Sequence, residues 1–545
     1  MLTQLLDVFS FLSVLLRGFA LACQSLVIGG AIFAVWILKP LTRTWGSAGD
    51  RVVEASRRML LWSALALALV QSCYVVTNSV LLTGTTGLEW TVVAGANFFV
   101  AGLASIASAL VVVVMVGRRA WRPGPALLIP SLLILVSLVA TSHAAGRIDS
   151  RAFVMTAGAL HMLAAASWVG ALAYLVLSLS RSSDRQLVKW ICGRFSSLAL
   201  ASVFLLTAAG VAMSVVYIDS PRALYGTSYG VMLGAKSLLL GILLLLGGLN
   251  FLIVRRMRTS DDDDFLKLRR FVEAEVGIGF TVILAAASLS SQPPATDLRT
   301  DRLSLPEIVQ RVSPQWPRLT TPPVSSLSPA TPLGFDTPGN ESVQSFVPGT
   351  TYQPNTPNDI AWSEYNHHWA GIIVLAVGLL ALASRVPGMT FARHWPLAFL
   401  GLAVFLFLRA DPENWPLGPR SFWQSFAVAE VLQHRIFVVL IIAFAIFEWR
   451  VATQRLSSTY AALVFPGVCA AGGAILLTHS HPLGNIKEEL LAELSHVPLA
   501  LCAVVAGWSR WLEIRAPGRT RQIVAWVWPV CFVMIGLLLL DYRES

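Results

Sequence analysis

The residues with the most chemistry to offer are nine histidines and the few carboxylates beside them. Four short runs concentrate them: Asn366-His367-His368-Trp369, Glu430-Val431-Leu432-Gln433-His434-Arg435, Thr478-His479-Ser480-His481, and the stretch from Glu489 through Glu493 to His496. Imidazole suits copper, zinc, iron and nickel, and carboxylate adds oxygen ligands, so this mixture points to metal capture and away from a purely thiolate-type relay. Helical residues three or four apart share a face, which puts Glu430 under His434 and makes Glu489, Glu493 and His496 one stripe. The expected metal ligands are therefore His367, His368, His434, His479, His481, His496, Glu430 and Glu493, carried by four helix ends to one membrane level, as in bundles that hold metals between facing helices. Singly, each of these histidines is more often a polar anchor at the membrane edge than a ligand; together, at four helix ends, they point to a metal or haem site.

The elements that must position them are membrane helices. The chain has 545 residues, 55% hydrophobic and only 13% charged, whereas soluble domains carry about 25% charged residues. A hydrocarbon core needs roughly 20 apolar residues of helix, and fourteen such runs recur, near 9–38, 59–84, 92–117, 124–143, 152–180, 195–217, 231–254, 271–291, 366–384, 394–409, 430–449, 459–477, 491–510 and 524–540. The expected fold is an all-α polytopic membrane protein in an eight-helix and a six-helix bundle. Residues 1–291 form the first membrane domain, a Pro/Ser/Thr-rich outer linker covers 292–360, and a His-rich second membrane domain covers 361–545. The linker composition buries too little apolar surface to fold as a domain.

Net charge is +10. Lys39 to Arg58, Arg118/Arg119/Arg122, Arg181 to Arg194, Arg255 to Arg270, Arg385/Arg393, Arg450/Arg455 and Arg510 to Arg521 all fall in loops on one side, so the excess reads as positive-inside topology and not as a nucleic-acid footprint. Both termini are then expected on the outer, periplasmic side. The first apolar run, preceded by Asp7, reads as a retained span and not a signal peptide. On this topology eight histidines lie toward the outer face and only His394 inside.

Six cysteines (Cys23, Cys73, Cys192, Cys469, Cys502 and Cys531) show no CxxC or paired spacing, so neither a disulfide framework nor a thiolate metal site is expected. Arg17 and Lys236 lie near outer helix ends and are expected to snorkel to the headgroups. Glu273 and Glu275 are expected to pair with Arg269 or Arg270, with a cytoplasmic exit for a cation as the alternative. His161, some 13 Å down its helix at about 1.5 Å per residue, needs a partner, and Met155, Met162 and Met213 offer thioethers.

A spaced series follows it: His161-Met162-Leu163-Ala164-Ala165-Ala166-Ser167-Trp168-Val169-Gly170, then Arg194-Phe195-Ser196 leading to Gly210, Tyr229-Gly230 before Lys236, Asn250 before Arg255-Arg256, and Glu273-Ala274-Glu275-Val276-Gly277 running to Pro293-Pro294. Across 150–295 this series resembles the copper resistance protein D (CopD) family. The resemblance implies a bacterial inner-membrane protein that handles copper, often beside a periplasmic copper-binding protein of the CopC type, and it points to His161 as a copper contact. No CopC-like soluble β-domain is present in the sequence, and the six-helix back half lies outside the basic family domain.

The expected function is copper transport, with uptake across the membrane fed by periplasm-facing His/Glu capture and with copper ion as the bound species. No GxxxxGK[ST] phosphate loop is present, so a transporter driven by gradients or redox state is expected ahead of an enzyme. Capture by neutral imidazole should weaken below about pH 6.5. The competing reading is a membrane b-type cytochrome or metal-dependent oxidoreductase, with haem b or a metal held by His434 with His496 or by His368 with His479. A scaffold whose histidines only anchor in the interface is the third.

Overall fold

The computed structural model describes residues 2–118, 121–182, 184–259, 264–298, 302–327, 356–426, 429–478 and 486–544. Among these residues the structure is helical, with no strand beyond one isolated bridge between Asn414 and Arg420. Thirteen helices are long and apolar enough to cross a membrane, and Pro125–Ala140 is a shorter apolar helix at the place of the fourth expected span. The protein is a multi-pass helical membrane protein. It divides into two compact units, built mainly on residues 1–302 and on residues 303–545.

The front unit starts with Leu2–Phe33, which runs through a π-turn at Ala34–Leu38 into Lys39–Thr44. Gly46–Thr86 follows and ends at Gly87, whose φ of +66° supplies the left-handed cap that a helix terminus favours. Asn97–Gly117 and Leu128–Ala140 lead to a helix in three parts: Arg151–Ala165, a second π-turn at Ala166–Gly170, and Ala171–Arg181. Arg185–Tyr217 begins at Asp184, whose carboxylate accepts from the Gln186 and Leu187 amides at 2.9 and 3.2 Å, the N-cap arrangement that satisfies orphan donors. Ser228–Thr259 and Phe265–Leu289 complete the unit.

Leu200, Phe204, Val211 and Val215 on Arg185–Tyr217 are each more than half exposed. Their spacing of four, seven and four puts them on one face. In water such a stripe would be a liability; here it is the side offered to lipid. On the inside, helices approach through small residues. A Cβ on Gly170 would lie 1.9 Å from the Ser25 carbonyl oxygen, and one on Gly29 would lie 2.4 Å from that of Ala166. Backbones touch there, which is how the second π-turn is seated on the first helix.

The back unit holds Pro357–Ala383, Ala398–Arg409, Ala429–Ala452, Val464–Leu476, Ile486–Arg515 and Gly518–Leu540. Pro357–Ala383 and Gly518–Leu540 meet at glycine: a Cβ on Gly378 would lie 2.6 Å from the Val533 amide nitrogen. Trp395, Phe399, Phe465, Trp528 and Phe532 fill the core. Glu513 ties one end together, accepting from Trp528 Nε1 at 2.7 Å, from Arg510 at 2.6 Å and from Arg385. His394, the one histidine expected inside, accepts from Trp449 Nε1 at 2.7 Å.

Part of the segment read as linker is ordered. Leu305–Val312 is a helix with Ser304 and Glu307 closing a capping box and a proline in its first turn. The four-residue run Ser304-Leu305-Pro306-Glu307 is a helix-start signature that the surrounding Pro/Ser/Thr composition concealed. Residues 328–355 of that segment lie outside the described residues.

Candidate functional site

In the front unit the Arg151–Ala165 helix carries His161 to the Arg185–Tyr217 helix. Its Nδ1–H donates to the Leu206 carbonyl at 3.0 Å. That bond needs close approach, and Gly210 provides it: a Cβ there would lie 3.3 Å from His161 Cε1. With Nδ1 carrying the proton, the ligand lone pair of the imidazole is on Nε2. Met213, one of the three expected thioethers, packs across Gly158, its sulfur 3.7 Å from the position of a Cβ there. Gly158 precedes His161 by three residues and so shares its helix face. Lys236 stands close enough to act on His161 electrostatically.

Seven residues further along, about 10 Å at 1.5 Å per residue, the π-turn presents Trp168. Its Nε1–H donates to Glu275 Oε1 at 3.0 Å, and Asn250 Nδ2–H donates to Glu275 Oε2 at 2.7 Å. Glu275 is 3% exposed. The expected arginine pairing is met by Glu273 alone, which lies 2.6 Å from Arg270 and 3.3 Å from Arg269. Two residues are about 200° of helix, so the neighbouring glutamates face opposite ways. Arg194, also in the spaced series, donates from Nε to the Trp36 carbonyl at 3.0 Å inside the first π-turn, and its guanidinium lies over the Trp36 ring.

In the back unit three of the expected ligands gather around Tyr542. His367 stacks on its ring at 3.7 Å between centroids, and His496 meets the same ring edge-on at 6.3 Å. His368 Nε2–H donates to the Tyr542 carbonyl at 2.9 Å, while its Nδ1 accepts from the Arg318 amide at 2.7 Å. Both nitrogens of His368 are thus engaged. His367 and His496 each turn Nδ1 to a carbonyl one turn earlier, Ser363 at 2.9 Å and Ala492 at 2.7 Å. Glu493, 5% exposed, precedes His496 by one turn. Tyr542 OH donates to Glu544 at 2.9 Å, whose backbone carbonyl accepts from Arg311 at 2.9 Å. Burial and the Glu544 charge hold the Tyr542 phenol above its ordinary range.

His434 stands elsewhere, with Nδ1 2.7 Å from Asp411 Oδ1. Its neighbour Arg435 donates to the Phe407 and Trp415 carbonyls at 2.7 and 2.9 Å. His479 and His481 lie outside the described residues, as do the side chains of Glu430 and Glu489. Among the described residues no group of three or more His, Cys, Asp or Glu side chains is arranged to hold a metal ion. Tyr542, Asp411 and Asn250 complete these arrangements, and sequence reasoning missed the first two as site residues. Asp541-Tyr542-Arg543-Glu544, a polar cluster directly after an apolar helix, was the available signal for Tyr542.

Residues 190–289 match the family model described as copper resistance protein D. Copper transport protein CutJ of Bacillus subtilis (strain 168) is 33% identical over 163 residues, which make up 29% of this chain and 29% of that protein. The chain thus spans less than a third of that relative's length. No solved structure matches. The match to the CopD family falls within the spaced series that resembles it, and the matched stretch holds Arg194, Gly210, Lys236, Asn250 and Glu275; His161 and Trp168 precede it.

Proposed function

We propose that the protein transports copper across the bacterial inner membrane, in the direction of uptake, with both termini on the periplasmic side. The observation that carries this reading is the placement of His161 within the front unit: an imidazole inside a membrane span, its Nδ1 fixed on the Leu206 carbonyl and its Nε2 left as ligand nitrogen, with Met213 of the neighbouring helix packed across Gly158 on the same face. Ionisable groups at such depth mark substrate or ion pathways, and imidazole with thioether suits copper. The CopD-family region beside it and the printed name of the CutJ relative support copper as the cargo.

The outer histidines serve as the capture surface in this reading. His434, oriented by Asp411, has the carboxylate-on-Nδ1 arrangement common to metal-ligating histidines. His367 and His496, each with Nδ1 on a backbone carbonyl, gather at Tyr542, and Glu493, Glu430, His479 and His481 complete the set. His368 differs, because with both nitrogens engaged it anchors the 303–327 segment onto Pro357–Ala383. A periplasmic CopC-like donor would deliver copper to this face. The b-type cytochrome reading needs axial histidines with an available ring nitrogen, and His368, one of its four proposed ligands, has both nitrogens committed. The test is metal content by mass spectrometry together with the visible spectrum of the purified full chain. Bound copper without a Soret band is expected; haem absorbance, or no copper, overturns the reading.

A further inference from the structure

Glu275 is a carboxylate inside a membrane span with no cation against it. Its two oxygens are met by two N–H donors, Trp168 and Asn250, and by nothing charged among the described residues. Arg269 and Arg270, on its own helix, face Glu273. A carboxylate held this way is costly in a low-dielectric interior unless a proton or a metal cation joins it. Glu275 also borders an apolar cavity of about 290 Å³ together with Asn250, Cys192, Phe195, Gly247 and Trp168. Cys192 and Ser196 from Arg185–Tyr217, Asn250 from Ser228–Thr259 and Trp168 from the π-turn helix are the other polar or titratable groups that line this space.

Asn250 supplies the second observation. It is 7% exposed, and while its Nδ2–H bonds Glu275, its Oδ1 is buried with no hydrogen-bond partner. A buried carbonyl oxygen left so is expensive. A carboxylic acid at Glu275 would resolve it: rotating the Asn250 amide by 180° would bring Oδ1 to the oxygen that carries the proton. One amide can therefore serve both states, donating N–H to the carboxylate and accepting O–H from the acid. Trp168 can only donate, so it fixes the other oxygen in either state. Gly247 leaves the approach open, since a Cβ there would lie 3.4 Å from Oε1.

We infer that Glu275 is a proton-exchange site of the front unit, with Asn250 as the amide that holds its carboxyl in both protonation states, and that the cation passing this unit displaces the proton. No bond other than O–H breaks: the proton leaves Glu275 to water as the cation arrives and returns when the cation departs. The last step rests on the copper-transport reading above; the protonation itself does not.

Infrared difference spectroscopy of the purified full chain, with and without Ag(I) as a redox-inert stand-in for Cu(I), reads both parts. The wild type should show a protonated-carboxyl C=O band that vanishes at high pH and shrinks on adding Ag(I). Glu275→Gln should lack it, and Asn250→Leu should keep it at a shifted frequency. The proton-exchange assignment is overturned if the wild-type pH titration shows no such band or if Glu275→Gln retains it. A band that titrates with pH but ignores Ag(I) overturns the displacement step alone. In proteoliposomes carrying an internal pH dye, Cu(I) addition should move protons with wild type and at least tenfold less with Glu275→Gln. Copper flux without proton movement in wild type would also overturn the displacement step. No copper flux at all would instead count against the transport reading.

Discussion

Asp411 Oδ1 lies 2.7 Å from His434 Nδ1, a contact made across 23 residues from one helix end to the next. A carboxylate on Nδ1 fixes the ring's tautomer and orientation, as it does in metal-ligating histidines. Asp411→Asn should therefore weaken copper binding by the full chain about 10–100-fold with helical content unchanged, as read by competition titration and circular dichroism. His434→Ala should lose at least as much. An Asp411→Asn protein of wild-type affinity would reduce His434 to an interfacial anchor.

His367 and His368 are adjacent but should behave differently. Removing the His368 ring strands the buried Tyr542 carbonyl, at a cost of about 1–3 kcal/mol, and releases the Arg318 amide from its acceptor. His368→Ala should lower the melting temperature while copper stoichiometry stays constant. His367→Ala should cost copper affinity while the 303–327 segment stays protected from proteolysis. The reverse pattern would exchange their roles.

Much of the architecture was readable because lipid imposes a simple rule on composition. The apolar runs matched helices, yet Gly46–Thr86 and Arg185–Tyr217 extend well past them, since hydropathy is silent about turns that continue into water. The clustered histidines were visible as residue types, but what each ring nitrogen touches was not. Tyr542 stands 174 residues from His368, and no local pattern couples the two. Glu273 and Glu275 look alike in the sequence; the helical rotation between them sends one to arginines and the other to Trp168 and Asn250. A period argument alone would have separated them.

One end of the front unit is pinned by Arg302, 8% exposed, whose guanidinium lies 2.7 Å from Asp219 and donates to the Ala295 carbonyl at 2.7 Å. The Arg302 hydrogen bond holds the Asp219 carboxyl below its ordinary range. A lowered folded-state value adds stability that is present above the unfolded carboxylate range, near pH 3.9, and is lost as pH falls through the lower folded value. Asp219→Asn should accordingly loosen residues 290–298 to proteolysis at pH 7, with wild type and variant converging only below about pH 3.9. Convergence already at pH 6 would contradict the pairing.

Gly170 is seated on the Ser25 carbonyl, where no side chain fits. Gly170→Val should push the π-turn off the first helix and destabilise the front unit by about 1–3 kcal/mol or more, seen as a lower melting temperature. Trp168 should then leave Glu275, and its fluorescence should shift toward the solvent-exposed range. An unshifted spectrum with normal stability would show that the π-turn does not depend on this contact.

Copper passage through the front unit by way of His161 is read most directly as radioactive Cu(I) flux into proteoliposomes. Wild type should accumulate copper with saturation, His161→Ala should fall at least tenfold, and His368→Ala should stay within about twofold at temperatures where it remains folded, since anchors and ligands separate in such difference measurements. Flux by His161→Ala equal to wild type, or no flux above empty vesicles with any protein, would contradict it.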